Sequence, residues 1–341
     1  MYNHFSLNFT LWSKFRSELM GLSMIGIIIE HFIQRLDLNN SILDFIYHHF
    51  HLSVENFLLL SGFGLSYSLC KSPSLATFYR KRLLRVFIPY IIIMLPFFVL
   101  DFYYGNSSFL QVVLRTLSID YWINGNFSGD WYISSSLLLY LFAPFIYAAF
   151  RKRKSEFGEI TILCSLCLGV TLFAYLLNSF MPFYYELTNY TWRRIPAFII
   201  GLFIGYIINQ KNYYSRIVWV SVLFLFLIYK FALYYKILPL SYYKTIINIV
   251  ALSVWACLIN IIAEFQFAAF FMRVFKWIGV YSLEIYLLHI SFWVLFLQDS
   301  IYEFLCQYMD RDIIALFSLI LSFLMCVPLH SFIEIIKNKI Q

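Results

Sequence analysis

The chain has 341 residues, of which 62% are hydrophobic and 13% are charged. A soluble domain carries about a quarter charged residues, so this composition excludes a globular protein that lies free in water. The 25 Lys and Arg residues exceed the 18 Asp and Glu residues. They are scattered in short segments without a basic and aromatic groove, so the excess predicts membrane orientation and no nucleic-acid partner.

Apolar segments of spanning length recur along the whole chain, and a spanning helix takes about 20 apolar residues. Hydropathy predicts about ten spans, at residues 17–36, 54–70, 84–104, 129–150, 159–177, 193–208, 215–235, 244–263, 276–298 and 313–336. Residues 109–123 are too short and too polar for a further span. The connecting segments are short, so residues 1–341 are expected to form one membrane domain without a separate soluble domain.

The basic residues predict the orientation of these spans. Most Lys and Arg residues fall on one side if the N-terminus is cytoplasmic, including the clusters at residues 80–85 and 151–154. By the positive-inside rule, both termini are expected to be cytoplasmic, which requires an even number of spans. The predicted fold class is an all-α polytopic helical bundle in the membrane.

Two histidines lie at similar predicted depth in the bilayer. His31 lies ~21 Å along the first span from Ser17, and His289 lies ~20 Å along the ninth span from Lys276, at 1.5 Å per residue. Ser61 enters from the opposite side, ~11 Å from the outer face. The three side chains are therefore expected to lie in one layer, where ionisable groups usually mark function.

The chemistry of this layer favours proton transfer. Imidazole is the side chain best suited to moving a proton near neutral pH, and a neighbouring carboxylate, Glu30 or Glu284, would orient it. The alternative for each histidine is a packing residue bonded to a neighbouring helix. The alternative for Ser61 is a small-residue helix contact through Gly62.

Two arginine pairs stand at predicted span ends. Arg82 and Arg85 are three residues apart, so they share a helix face and offer two guanidinium groups to a phosphate-bearing ligand. Plain positive-inside anchoring is the alternative. Arg193 and Arg194 lie on the predicted outer side, which indicates a binding group for an anionic or sugar ligand, or an ion pair with Glu186.

In order along the chain, six segments resemble the acyltransferase 3 family of integral membrane proteins, which O-acylate bacterial surface glycans and related molecules. They are ELMGLSMIGIIIEH, SVENFLLLSGFGL, FYRKRLLRVFIPY, DWYISSSLLLYLFAP, RRIPAFIIGLFIG and SLEIYLLH. The resemblance implies a ten-span acyltransferase of the bacterial plasma membrane. Such a protein takes an acyl group, usually acetyl, from cytoplasmic acyl-CoA to a hydroxyl of an extracytoplasmic acceptor such as a cell-surface glycan, without a metal.

The resemblance also implies roles for individual residues. His31 would be the catalytic base, and Arg82 and Arg85 would hold the CoA phosphates. His289 and Glu284 are expected in the catalytic group. Further matching positions are expected to bind substrate or to recur in the family; they are Glu55, Ser61, Trp131, Arg194 and Ser282.

One position departs from the family pattern. An arginine often stands eleven residues before the first-span histidine, and Met20 occupies that position here. Arg16 lies four residues earlier on the same helix face, so it is expected to reach the same site and to act in catalysis. Either His289 or Arg16 is expected to stabilise the oxyanion that forms when the acceptor hydroxyl attacks the acyl carbon.

Two rival functions remain open from the sequence. A transporter or flippase of a lipid-linked glycan usually carries internal repeats and helices broken at Gly or Pro. Only 12 of the 341 residues are Gly and no repeat is visible, which favours the enzyme. The second rival interpretation, a catalytically inactive family member that acts as a scaffold, is supported by Met20 alone.

Overall fold

The computed structural model describes residues 9–36, 54–71, 74–125, 131–153, 155–210, 241–297 and 305–340. Within these ranges the regular elements are all helical, which confirms the predicted all-α bundle. The helices of the first part of the chain are α1 (Thr10–Lys14), α2 (Arg16–Leu36), α3 (Val54–Cys70), α4 (Leu75–Arg82), a π-helical turn (Leu83–Phe87), α5 (Ile88–Tyr103), α6 (Phe109–Thr116) and α7 (Asp120–Asn124).

The later helices complete the bundle. They are α8 (Trp131–Arg151), α9 (Glu156–Phe180), α10 (Pro182–Trp192), α11 (Ile195–Asn209), α12 (Ser241–Ile262), α13 (Ala268–Val280), α14 (Ser282–Leu297) and α15 (Arg311–Ile340). The predicted span at 215–235 lies outside the described residues. Residues 109–123 form two short helices, α6 and α7, and no span.

Five helical stretches in the described ranges are long and apolar enough to cross a membrane. They are Leu75–Tyr103, Trp131–Arg151, Glu156–Phe180, Pro182–Asn209 and Arg311–Ile340. Their outward faces carry large exposed apolar side chains, such as Leu172 and Phe173 on α9. Exposed apolar belts of this kind suit lipid contact, so the chain is a multi-pass membrane protein. The count of ten spans and the orientation stay predictions.

Glycines set the closest helix crossings. A Cβ atom on Gly62 of α3 would collide with the backbone carbonyl of Phe198, and one on Gly201 of α11 would collide with that of Leu59. In a membrane, where water drives no apolar collapse between helices, such close backbone contact is the main source of helix association. Gly62 thus makes the small-residue contact, while its neighbour Ser61 lines a cavity.

The helix that carries the predicted phosphate-binding arginines widens at the π-helical turn. Pro89 lacks a backbone N–H and therefore cannot donate to the carbonyl of Arg85, four residues earlier. A π turn accommodates such a gap in the hydrogen-bond ladder. Arg82 directly precedes this turn and Arg85 lies within it, and both side chains line the same cavity.

The ninth predicted span, residues 276–298, is not one helix. The chain breaks at Tyr281, which separates α13 from α14. The hydroxyl of Ser282 donates to the carbonyl of Gly279 at 2.9 Å and so satisfies one acceptor at the end of α13. The count from Lys276 to His289 therefore does not measure a distance along one helix, because Lys276 lies on α13 and His289 on α14.

Candidate active site

A cavity of about 480 Å³ lies between α2, α3, α4 with its π turn, α8, the end of α13, α14 and α15. Its charged lining is mostly basic, with Arg16, Lys81, Arg82, Arg85 and Lys337 against Glu284 and Glu334. The three arginines lie close enough for their charges to act on one another. The cavity therefore has a strongly cationic region, suited to an anionic ligand.

Two of these arginines are held in place by neighbouring groups. The Arg82 guanidinium donates to Ser68 Oγ at 3.2 Å and lies 5.5 Å from the ring centre of Phe78. Arg16 Nε donates to the Leu60 carbonyl at 3.2 Å. Gly64 leaves room for Arg16, since a Cβ there would lie 2.7 Å from its guanidinium carbon. These contacts fix the cations without neutralising them.

Arg16 and Met20 both line the cavity, but Arg16 does not share a layer with His31. Fifteen residues separate Arg16 from His31 on one helix, a rise of about 22 Å. An arginine side chain cannot cover that distance. The expected catalytic role of Arg16 beside His31 is therefore wrong, and Arg16 belongs to the basic region with Arg82 and Arg85.

His31 and His289 are in direct contact. His31 Nδ1 lies 2.9 Å from His289 Nε2, and the two rings stack with centres 5.1 Å apart. His289 Nδ1 lies 2.9 Å from the carbonyl oxygen of Ile285. Trp293 lies beside both rings, at 6.2 Å and 6.3 Å between ring centres. The structure thus brings together the two histidines of the predicted layer.

The contacts of His289 fix the tautomer of His31. A carbonyl oxygen only accepts, so His289 Nδ1 carries the proton of that bond. In neutral His289 the other nitrogen, Nε2, is then an acceptor, and His31 Nδ1 must donate to it. The lone pair of neutral His31 consequently lies on Nε2. This is the arrangement that a general base requires.

The histidine pair lies beyond the end of the cavity that is farther from the arginines. On α2, Arg16, Met20 and Ile27 line it, and His31 follows Ile27 by four residues. At 100° per residue these four positions fall within about 60° of one another, so His31 lies on the cavity face one turn further in. On α14, His289 follows the cavity-lining Tyr286 by three residues on the same face.

Glu284 pairs with a third histidine, which sequence reasoning missed. Its Oε1 atom lies 2.7 Å from Nδ1 of His330 on α15. Both residues line the cavity, and Glu284 is only 3% exposed. Glu284 is therefore not the group that orients His289, whose Nδ1 contacts the Ile285 carbonyl instead. His330 had the same signal as the other two histidines, an imidazole inside an apolar run, LMCVPLHSF.

Three of the predicted substrate-binding residues meet. Arg194 Nε lies 3.1 Å from Glu55 Oε1, so the ion pair forms with Glu55, and Glu186 is not the partner. The Arg194 guanidinium lies 5.0 Å from the ring centre of Trp131 and 5.5 Å from that of Tyr190. Charge and aromatic faces together are typical of sites that bind sugars or anions.

Ser61, the fourth predicted substrate-binding residue, lines the cavity. Its hydroxyl shares a 2.9 Å hydrogen bond with the phenol of Tyr140 on α8. Tyr132 and Ser136 of α8 also line this wall. None of these three α8 residues was singled out from the sequence, because tyrosine and serine at these positions are equally typical of membrane-interface anchoring and helix packing.

A buried tyrosine anchors the segment before α8. The phenol of Tyr121, on α7, donates to the Thr188 carbonyl at 3.0 Å and contacts Thr191 Oγ1 at 2.8 Å, which ties α7 to α10. Burial raises the pKa of Tyr121 to about 12, so the phenol keeps its proton at physiological pH. Thr191 also contacts Ser135, on the turn that follows Trp131. This network positions Trp131 beside Arg194.

Comparison with known proteins supports the enzyme interpretation. The model of the acyltransferase 3 family, described as an acyltransferase domain, matches residues 19–331. The match includes all the cavity-forming helices, apart from the first residues of α2 and the end of α15. No curated protein and no solved structure matches the chain.

Proposed function

Because the chain belongs to the acyltransferase 3 family and is a membrane acyltransferase, we propose that it transfers an acetyl group from cytoplasmic acetyl-CoA to a glycan hydroxyl. The acceptor lies on the opposite side of a bacterial plasma membrane. Several residues outside the matched range, including Arg16 and Lys337, also line the cavity, so the proposed donor site extends slightly beyond the match.

The basic region of the cavity is the proposed CoA site. Arg82 and Arg85 would bind the phosphates, with Lys81 and Arg16 adding positive charge, while Lys337 is paired with Glu334 at 2.8 Å. Guanidinium groups match phosphate oxygens with paired donors, and a partly enclosed cavity strengthens each contact. The pantetheine arm would follow the cavity inward, past Met20 and Ile27, toward His31. This direction agrees with the predicted cytoplasmic position of the basic residues.

His31 is the proposed general base. The observation that carries the proposal is the chain of contacts from His31 to His289 to the Ile285 carbonyl, because it leaves the lone pair on His31 Nε2. That nitrogen would take the proton of the acceptor hydroxyl as its oxygen attacks the thioester carbon. Both ring nitrogens of His289 are engaged, so His289 would position His31 and would not stabilise the oxyanion.

The acceptor would enter from the side of Glu55, Trp131 and Arg194. Glu55 and Arg194 offer an acceptor and donors to sugar hydroxyls, and Trp131 and Tyr190 offer aromatic faces. Val54 and Phe57 of α3 line the cavity, and Glu55 lies between them in the chain. A sugar bound there would approach the inner end of the cavity from the side opposite the donor.

Membrane vesicles with the cytoplasmic face outward provide the test. Vesicles that contain the protein are supplied with acetyl-labelled acetyl-CoA, and label is followed into the glycan fraction. We expect label in glycan and release of free CoA, both absent from vesicles without the protein. Labelled glycan at background level, with the protein folded and the glycan present, would contradict the proposal. A transporter would release no CoA.

A further inference from the structure

The Glu284–His330 pair is a second ionisable pair of the cavity, and the proposed function does not use it. The two residues lie on different helices, α14 and α15, and are joined by a 2.7 Å contact between Oε1 and Nδ1. The Tyr281 ring meets the His330 ring edge to face, with centres 5.0 Å apart. The carboxylate and the tyrosine together fix the orientation of the imidazole.

Glu284 is deeply buried, and its carboxylate is in contact with His330. A carboxylate that is 3% exposed is costly unless a countercharge accompanies it, and His330 is the group in contact with Glu284 that the described structure shows. His330 itself is less buried, with 28% of its side chain exposed, and it lines the cavity. Since Nδ1 faces Glu284, Nε2 is the nitrogen that can meet a ligand.

The Glu284–His330 pair lies between the basic region and His31. On α15, His330 precedes the cavity-lining Lys337 by seven residues, a rise of about 10 Å. On α14, Glu284 precedes His289 by five residues, a rise of about 7.5 Å. A base and an acid that flank one acyl carbon are separated by roughly 6–9 Å, which is two hydrogen-bond lengths and the intervening bonds. Glu284, which contacts His330, and His289, which contacts His31, are separated along α14 by about this rise.

Resting on the proposed function, we propose that His330 is the general acid that protonates the departing sulfur of CoA. Donor phosphates held at Arg82 and Arg85 would place the sulfur on the basic side of the acyl carbon, which is the side of His330. The acceptor oxygen would attack from the side of His31. The two histidines therefore take opposite roles in one transfer.

The proton balance of this step is complete. His31 Nε2 takes the proton of the acceptor hydroxyl while its oxygen forms the new bond to the acyl carbon. The carbon–sulfur bond breaks with its electron pair on sulfur, and the Nε2 proton of the His330 imidazolium moves to that sulfur. The products are the acetyl ester and CoA thiol. His31 returns its proton to water. His330, whose side chain is 28% exposed, regains a proton from water that enters the cavity.

The test replaces His330 by Gln, which keeps a donor for Glu284 but cannot release a proton. Vesicles with H330Q are compared with wild type and with S331A, a neighbouring exposed residue whose hydroxyl bonds only its own helix backbone, at Val327. We expect kcat with acetyl-CoA to fall about 100-fold, the usual contribution of general acid catalysis, while KM for acetyl-CoA stays within twofold. S331A should match wild type.

A second donor separates acid catalysis from positioning. p-Nitrophenyl acetate releases a phenolate that departs without a proton, so H330Q should transfer its labelled acetyl group at nearly the wild-type rate. An H330Q variant that retains more than a third of wild-type kcat with acetyl-CoA would overturn the inference, as would equal losses with both donors or a loss confined to KM. Wild-type vesicles that use no acetyl-CoA would instead refute the proposed function.

Discussion

Replacing His289 by Ala tests how His31 is activated. The substitution removes the acceptor that His31 Nδ1 meets at 2.9 Å and leaves that N–H without this partner, beside Trp293. An unsatisfied buried donor costs about 1–3 kcal/mol, and each 1.36 kcal/mol corresponds to a factor of ten in rate. If that cost falls on the reactive tautomer, kcat drops about 5- to 150-fold. KM for acetyl-CoA should not change, because His289 lies beyond the cavity lining.

The assay is initial-rate transfer of labelled acetyl groups in vesicles, at saturating and at limiting acetyl-CoA. His289→Gln is the matched variant, because its side-chain carbonyl can still accept from His31 and should restore part of the rate. Wild-type kcat in His289→Ala would refute the tautomer argument. An increase in KM without loss of kcat would refute it equally, since it would place His289 in donor binding.

Three further predictions follow from the packing, the basic region and the Glu55 ion pair. Gly201→Leu should lower the melting temperature by several degrees, because the new side chain would collide with α3. Gly169→Leu is the control and should not lower it, since nothing lies within 4 Å of a Cβ at Gly169. Fluorescence-detected size exclusion after heating measures both variants, and equal melting temperatures would contradict the close crossing of α3 and α11. Arg82→Ala should raise KM for acetyl-CoA about 10- to 100-fold at similar kcat, because one charged hydrogen bond to the phosphates is lost. Arg151 lies outside this cavity, so Arg151→Ala should leave KM unchanged. A fall in kcat alone in Arg82→Ala would contradict phosphate binding by Arg82. Glu55→Gln should reduce transfer to glycan at least tenfold while acetyl-CoA binding by calorimetry stays constant, and weakened acetyl-CoA binding would move Glu55 to the donor site.

Hydropathy predicted most helices well because span length is a bulk property of composition. Helices α2, α3 and α8 begin and end within two residues of the predicted spans. The break at Tyr281 could not be predicted in the same way. The segment WIGVYSLEIY is mostly apolar, and hydropathy is averaged over a window, so it does not show where the backbone turns.

The sequence predicts that His31 and His289 share a layer of the bilayer, but it does not predict that they are in contact. The contact instead depends on how α14 packs beside α2, which is tertiary information. For the same reason, the partner of Glu284 could not be predicted from the sequence. A sequence shows that His330 is an imidazole in an apolar run, but only the packing of α15 against α14 shows which carboxylate it meets.

For the arginines, helical periodicity predicts the face of the helix correctly but not the depth of the side chain. Arg82 and Arg85 were placed on one helix face by their spacing, and both line the cavity even though a π turn intervenes. Arg16 was expected beside His31 because it shares the face of Met20. Helical periodicity gives the direction of a side chain but not its depth, and the rise between positions 16 and 31 excludes the contact.

The most direct test of the central claim is acetyl transfer by His31→Gln in vesicles with the cytoplasmic face outward. Glutamine keeps a donor for His289 but offers no basic nitrogen, so the variant should bind acetyl-CoA as tightly as wild type and transfer its acetyl group at least 100-fold more slowly. Glycan labelling at the wild-type rate, at equal protein level, would contradict the assignment of His31 as the base.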